Sequence, residues 1–430
     1  MAEPFRIGMI GCGTVGSGVL ELLHRREEEL TRLLGRPLRV ERIVVRNPSK
    51  PRHHLASLVS AGVELSGDPR RVTREPGVDL VVELAGGRDE PKSWILDALD
   101  HGRDVVTANK AALAFHGAEL FAQARARGRC IFYEASVAGA IPIIEMLLNG
   151  LVANQTTSLS AILNGTCNYI LTRMEFGNLD YAAALAEAQA KGFAEADPSL
   201  DVSGGDSAHK LALLAGIVTR THIPVESVYT EGLERITRED MELAKQLNYS
   251  IKMLAIAKRN QQGAWELRVH PTLIPRSEIL AQVRDEFNAI YLKGDAVGPM
   301  LAYGKGAGGL PTASSVVADI VRAAKGERGV PNSHGGQSPD LVPIERVELR
   351  HYVRMTVLDV PGVLGRITSF FGMRHISISS IHQPEARMNQ PVTVVLVTHR
   401  TTDKVVTEAL RDLESARLLT CAPTRVRIEE

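Results

Sequence analysis

The first 150 residues alternate short apolar runs with helical patterns, and this alternation restricts the chain more than any other feature. "FRIGMIG", "LRVERIVVR", "VDLVVELAG", "DVVTA" and "CIFYEA" read as strands. "KSWILDALDHG" and "KAALAFHGAELFAQARARG" read as helices, the second closing at Gly128, a residue type that commonly ends helices. Strands separated by helices call for parallel pairing through right-handed crossovers.

An α/β, Rossmann-type parallel sheet is therefore expected over 1–135. "GCGTVG" places Gly11, Gly13 and Gly16 at G-x-G-x-x-G spacing between the first strand and a helix. In that context the glycines make the tight turn, admit a pyrophosphate and pack helix on strand. Cys12, inside the loop, reads as a small filler rather than a reactive thiol. Sites that prefer NAD usually carry Asp or Glu at the end of the second strand, to accept from the ribose 2′-hydroxyl. Here "VVRNPSKPR" offers Arg46, then Lys50 and Arg52, which suit a 2′-phosphate. NADP is the expected cofactor and NAD the alternative.

From 136 to 310 the texture changes. "TSLSAILNG" and "WELRVHPTLIP" read as strands, "DYAAALAEAQAKG" and "SAHKLALLAGIVT" as helices. "ELAKQLNYSIKMLAIAKRN" has helical stretches, with "NYS" a break or strand entry. This predicts an α+β substrate and dimerisation domain with a mixed sheet. Residues 311–325 add a helix returning to the first domain, and 326–346, rich in Gly, Pro, Ser and Asn, read as a linker. A small α+β domain is expected over 347–430.

Composition excludes several function classes. The 50 basic and 50 acidic residues cancel, so neither a nucleic acid nor an acidic membrane surface is an expected partner. No apolar run approaches the roughly 18 residues of a membrane span. Cys12, Cys130, Cys167 and Cys421 form no CxxC pair, which argues against a zinc site or disulfide framework. With no export signal at the start, a cytoplasmic protein is expected.

"ADPSLDVSGGDSAHK", residues 196 to 210, is the densest polar stretch and carries the most specific motif. Ala188, Gly192, Phe193, Ala194, Asp197, Pro198, Asp201, Val202, Gly204, Asp206 and Lys210 stand at the spacing of a family signature. By this motif, and by "TANKAAL", "YEASVAGAIPII", "LNGTCNYIL" and "YGKGAGGLPTASSVVAD", the chain resembles the homoserine dehydrogenases over roughly residues 5 to 325. Its tail resembles an ACT domain through "VLDVPGVLGRI", and the whole resembles the monofunctional form.

The resemblance implies NAD(P)-linked, reversible reduction of L-aspartate 4-semialdehyde to L-homoserine, toward threonine, methionine and isoleucine. It assigns Asp206, Lys210 and Lys110 to the catalytic centre and Glu195 and Asp201 to the substrate ammonium. Asn164, Gly165 and Thr166 would contact substrate. Thr14, Val15, Gly87, Thr107, Lys110 and Gly308 would join the glycine loop, Arg46 and Lys50 around the dinucleotide. Glu134, with carbonyls of Val137, Gly139 and Ile141, would hold a monovalent cation, Na⁺ or K⁺. A homodimer or homotetramer is implied, with L-threonine as an effector at Asp359, Pro361 and Gly362, unless the tail serves assembly alone.

The residues agree with these assignments. Asp206 and Lys210 stand four apart and share one helix face. Hydride reduction of an aldehyde creates an alkoxide that needs a proton donor, and the reverse reaction needs a base. Lys110 follows the strand "DVVTA", at the carboxyl end where ligands bind in such sheets. Which lysine moves the proton is left open by the sequence. So are two other functions: a non-catalytic dinucleotide and amino-acid sensor, and a reductase of a related small aldehyde. The paired lysines disfavour the sensor, and the ammonium-binding carboxylates disfavour the other reductase.

Overall fold

The computed structural model describes residues 2–48, 62–328, 338–384 and 389–430. They divide into two compact units, Met1–Thr157 with His209–Ser227 and Asn288–Pro339, and Ser158–Ala208 with Val228–Phe287 and Asp340–Glu430.

The first unit opens with β1 (Phe5–Ile10), α1 (Thr14–Arg25), β2 (Leu38–Val44), β3 (Glu64–Ser66) and β4 (Leu80–Glu83). There follow α2 (Asp89–Asp100), β5 (Asp104–Thr107), α3 (Lys110–Ala126) and β6 (Ile131–Phe132). The strands lie in the order β3-β2-β1-β4-β5-β6, and every adjacent pair is parallel. Strand order reverses beside β1, the point at which open α/β sheets bind ligands. Ile7, Met9, Ile43, Leu80, Val82 and Val106 are buried in its core, as a sheet covered on both faces requires. "CIFYEA" was expected to be a strand throughout, but β6 covers only Ile131 and Phe132. The chain then enters a 3₁₀ turn at Glu134–Ser136, where the Glu134 N–H donates to Asp319 at 2.8 Å instead of to a neighbouring strand.

The second unit contains β7 (Thr156–Ile162), α4 (Gly165–Gly177) and α5 (Tyr181–Ala190). Helix α6 (Gly205–Thr219) gives its first turn to this unit and its remainder to the first. Next come β8 (Tyr229–Thr230), α7 (Arg238–Gln246), β9 (Tyr249–Arg259) and β10 (Trp265–Pro275). The adjacent strands β11 (Phe287–Gly294) and β12 (Gly298–Lys305), and α8 (Gly309–Ala324), belong to the first unit almost throughout. There α8 closes on α1: a Cβ at Gly18 would stand 2.9 Å from the Gly309 carbonyl oxygen, so only glycine permits the approach.

"ELAKQLNYSIKMLAIAKRN" was expected to hold helical stretches with a break or strand entry at "NYS", and the strand entry is what the structure has. Its first part is α7, but from Tyr249 it is the 11-residue strand β9. Ser250 through Ala257 are buried without alternation, so no period-2 signal marks the strand. Pairing with β7 and β10 decides the conformation.

The tail folds as β13 (Glu348–Leu358), α9 (Val363–Met373), β14 (Ile378–His382), β15 (Pro391–Thr398), β16 (Thr401–Thr402), α10 (Asp403–Ser415) and β17 (Thr424–Ile428). Strand order in this unit runs β7-β9-β10-β17-β13-β15-β14. The last strand is thus shared: β17 runs parallel to β10 and antiparallel to β13. Charges are buried at this seam. Arg268, 1% exposed, pairs with Glu429 at 2.6 Å, and Arg427, also 1% exposed, pairs with Asp403 and Glu231, each at 2.7 Å. Stripping one partner from a buried ion pair is costly, so these pairs bind the tail to the substrate-domain strands. No helix among the described residues is long and apolar enough to cross a membrane.

Candidate active site

The glycine loop leads from β1 into α1. Gly11 has φ +96°, and a Cβ there would stand 2.7 Å from the Leu84 and Ala85 backbone. A Cβ at Gly16 would stand 2.8 Å from the Gly11 carbonyl oxygen. Gly13 differs, because nothing lies within 4 Å of its Cβ position. Two glycines are thus demanded by the fold, while the third keeps open the space a pyrophosphate would enter. Helix α1 starts at Thr14 with no side-chain cap and no acidic residue in its first turn, leaving an N-terminus suited to an anion. Thr14 is exposed and Val15 half-buried at this mouth. These features fit a dinucleotide.

At the carboxyl ends of β4 and β5 a buried ring of hydrogen bonds sets the neighbouring loops. Glu83 is fully buried and accepts from the Ala85 N–H at 2.8 Å and the Thr107 hydroxyl at 2.7 Å. Thr107 accepts in turn from the Asn109 N–H at 3.0 Å. The Asn109 amide donates to the Ala85 and Gly87 carbonyls at 3.1 and 2.9 Å, and its oxygen caps α3 through the Ala112 N–H at 3.0 Å. Gly87 has φ +118°, which a side chain would resist. Burial pushes the Glu83 carboxyl up to about 7, against the hydrogen bonds it accepts. Lys110, half-buried, is the first residue of the helix that this ring caps.

Lys210 lies on α6 and is 8% exposed. Phe115 of α3 and His209 of α6 meet edge-on with centroids 5.1 Å apart, so the helices bearing Lys110 and Lys210 pack together. One turn before Lys210 on α6 is Asp206, 3% exposed. In the second unit the Asn164 side-chain amide donates to Asp206 Oδ2 at 2.8 Å and to Asp201 Oδ1 at 2.7 Å. Its oxygen caps α4 through the Cys167 N–H at 2.8 Å. Gly165 lies so close to the Glu286 carbonyl that a Cβ would stand 2.6 Å from it, and the Thr166 hydroxyl donates to the Phe193 carbonyl at 2.5 Å. Two carboxylates and a capped turn are thereby gathered around one side chain.

Glu195 is exposed, and among the described residues no hydrogen bond brings its carboxylate to Asn164. Asp197 accepts from the Ser199 hydroxyl and N–H, which hold its carboxyl below the ordinary range and give it a turn-forming role.

The turn from Val137 to Ile141 is buried except at Ala140 and holds Ala138 and Gly139 both at φ 55°. Gly139 abuts Gly306, and its carbonyl accepts from Ser315 at 2.7 Å. The Glu134 carboxylate accepts from the Ile144 and Glu145 N–H groups at 2.8 and 2.7 Å. Burial pushes it, and the adjacent Asp319, up to about 7. Gly308 has φ +124° at the entry to α8. Arg46 is exposed just past the end of β2, and Lys50 and Arg52 lie outside the described residues.

Sequence reasoning missed Glu83, Asn109, Asp319 and Asn288. The signal for Glu83 was a carboxylate inside the apolar run "VVELAGG". Asn288 is fully buried against Gly306, and among the described residues neither end of its amide has a hydrogen-bond partner. A sequence pattern cannot reveal that.

The parallel sheet, its open glycine loop and the lysine-bearing helices define a dinucleotide-dependent oxidoreductase. Residues 11–134 match the family described as homoserine dehydrogenase, NAD binding domain, 142–321 that described as homoserine dehydrogenase, and 351–416 the ACT domain. A homoserine dehydrogenase of Pseudomonas aeruginosa is 41% identical, covering 100% of this chain and 99% of the relative, and one of Bacillus subtilis is 37% identical, covering 99% of each. The crystal structure of a homoserine dehydrogenase from Thiobacillus denitrificans superposes with TM-score 0.92 at 40% identity, covering 100% and 99%. A hyperthermophilic archaeal homoserine dehydrogenase mutant in complex with NADPH gives TM-score 0.65 at 26% identity, covering 76% of this chain and 100% of that one. The chain belongs to the homoserine dehydrogenase family.

Proposed function

We propose that this chain interconverts L-aspartate 4-semialdehyde and L-homoserine with NADP, and that Lys210 transfers the proton. Bound at the glycine loop, the dinucleotide supplies or takes up the hydride. In the reducing direction the Lys210 ammonium gives a proton to the oxygen of the new alcohol, and in the oxidising direction its amine takes that proton back. Asp206 orients Lys210 and water near the carbonyl, and Asp201 with Glu195 receives the substrate ammonium. The turn Asn164, Gly165 and Thr166 meets the rest of the substrate. The observation that carries this reading is the Asn164 side chain, which holds Asp201 and Asp206 together one helical turn before Lys210. Lys110, at the capped start of α3, is the second lysine of the centre and borders the nicotinamide.

NADP is favoured by Arg46 past β2 and by the NADPH bound to the archaeal relative. A monovalent cation would be held by the Glu134 carboxylate, which two N–H groups orient, and by the backbone carbonyls of Val137, Gly139 and Ile141. The orphaned Asn288 amide beside Gly306 suits a polar guest in the same region. We further propose a cytoplasmic homodimer or homotetramer, with L-threonine as effector. The test is to follow reduced nicotinamide as L-homoserine is added with NADP or with NAD. Faster reduction of NADP is expected, and no reduction of either removes the reading.

A further inference from the structure

Lys252 lies on β9 and is fully buried, yet no carboxylate among the described residues forms an ion pair with it. Glu175, on α4, is taken by Arg276 at 2.9 Å and by the Ser250 hydroxyl at 3.0 Å. The ammonium instead donates to the Val283 carbonyl at 2.5 Å and to the Asn168 side-chain oxygen at 3.4 Å. Burial lowers its amine from 10.5 to about 8, so the group is charged at neutral pH. A buried cation without a counter-ion is destabilising, and an apolar side chain of similar length would pack here with less penalty. Stability alone does not call for a lysine at this position.

The ammonium holds the stretch 283–287, which leads into β11. Asn168, 1% exposed on α4, extends the hold: its amide donates to the Asp285 and Phe287 carbonyls at 2.9 and 3.1 Å. Thr172, one turn along α4, accepts from the Asp285 N–H at 3.0 Å and donates to the Asn168 carbonyl at 2.7 Å. Between these bonds Asp285 is kept at φ 55°, a left-handed conformation uncommon in residues that carry a Cβ. The Glu286 carbonyl is thereby set against the start of α4, where a Cβ on Gly165 would stand 2.6 Å from it. Gly165 follows Asn164, the side chain that gathers Asp201 and Asp206.

We propose that Lys252 is a positioning residue for the substrate turn, acting through Asn168 and residues 283–287 on Gly165. The carbonyls of Val283, Asp285 and Phe287 converge on two buried donor groups, which fix the distance of this stretch from α4. Removing the ammonium leaves the Val283 carbonyl buried with only its 3.4 Å contact to Asn168. The stretch then relaxes, the Glu286 carbonyl moves off Gly165, and the turn gains room. Asn164 no longer holds Asp201 and Asp206 at one separation. Displacements beyond roughly 0.5 Å are enough to spoil a binding constellation, so substrate affinity should feel the change.

The consequence for substrate rests on reading Asn164 and Asp201 as substrate contacts; the restraint of the turn does not. Two measurements on the full chain separate them. In steady-state kinetics Lys252→Met should raise the KM for L-homoserine at least about tenfold while kcat falls less than about threefold, a split that loss of folded protein would not produce. The KM for NADP should not change. Lys252→Gln keeps a donor on a shorter side chain, so its KM should lie between those of wild type and Lys252→Met. In hydrogen–deuterium exchange the peptide 164–168, whose Cys167 N–H is capped by Asn164, should exchange faster in either variant while the tail strands β13 and β15 do not. Both readouts apply to both variants, so loss of the fold in one leaves the other to decide. An unchanged KM for homoserine, a fall in kcat at constant KM, or unchanged exchange at 164–168 would overturn the proposal. Asp201→Asn is assayed in parallel: an unchanged KM there removes the substrate reading, and the exchange measurement alone then judges Lys252.

Discussion

Asn164 donates to Asp206 at 2.8 Å, and its second amide hydrogen satisfies Asp201 at 2.7 Å. With its oxygen on the Cys167 N–H, one buried side chain meets three partners from three elements. Removing it takes the cap from α4 and a donor from a buried carboxylate. Asn164→Ala should cost about 1 kcal/mol for the cap and about 1–3 kcal/mol for the lost donor. The KM for homoserine should rise at least about tenfold, since each 1.4 kcal/mol of lost binding is tenfold. Asn164→Asp keeps the cap oxygen but loses both donors and sets a third carboxylate beside two others, so it should be no more stable than Ala and less active. Melting curves with steady-state kinetics on both variants check this ordering.

The glycine loop separates fold from ligand. Gly11→Ala forces a side chain into φ +96° and into the Leu84–Ala85 backbone, so it should destabilise the protein by several kcal/mol. Gly13→Ala meets nothing within 4 Å, so its Tm should match wild type while dinucleotide affinity falls. Equal affinity in Gly13→Ala would show that the open space at Gly13 is not used by the cofactor.

Glu83 makes stability depend on pH. Its folded-state carboxyl is raised from 4.5 to about 7, so it holds a proton in the folded state that it loses more readily when unfolded. Stability from this group is fully present below about pH 4.5 and is lost as pH rises through about 7. Between about pH 5.5 and 8 the loss is on the order of 2 kcal/mol. Glu83→Gln does not titrate and should show a smaller fall in Tm over that range. Glu134 and Asp319 shift in the same direction, but they are present in both proteins and cancel in the comparison. Parallel slopes would contradict the assignment.

Arg46→Asp exchanges a cation suited to a 2′-phosphate for an acceptor suited to a 2′-hydroxyl. The KM for NADP should rise and relative use of NAD improve. An unchanged ratio would place Arg46 away from the adenosine ribose.

Much of the dinucleotide half was legible in the sequence, because parallel strands buried on both faces and joined by helices leave an unmistakable alternation. Gly11, Gly13 and Gly16 were legible for the same local reason. Asp201, Asp206 and Lys210 were reached through a spaced motif and Asn164 through the block "LNGTCNYIL", but the hydrogen bonds by which Asn164 joins the two aspartates had no sequence signal. Strand β9 was legible only as a strand entry at "NYS", because burial on both faces erases the alternation that would mark its full length. The position of β17 between β10 and β13 had no local signal, since its partners lie some 70 and 150 residues away. Glu83 was passed over because a charge inside an apolar run carries no spacing rule of its own.

Whether Lys210 carries the proton is decided by the turnover of Lys210→Ala with L-homoserine and NADP, measured beside NADP binding. Loss of a general acid–base costs about 10² or more in turnover. A loss of that size with NADP binding intact is expected, whereas Lys110→Ala should lose turnover comparably and also weaken cofactor or substrate binding. Near-normal turnover in Lys210→Ala would contradict it.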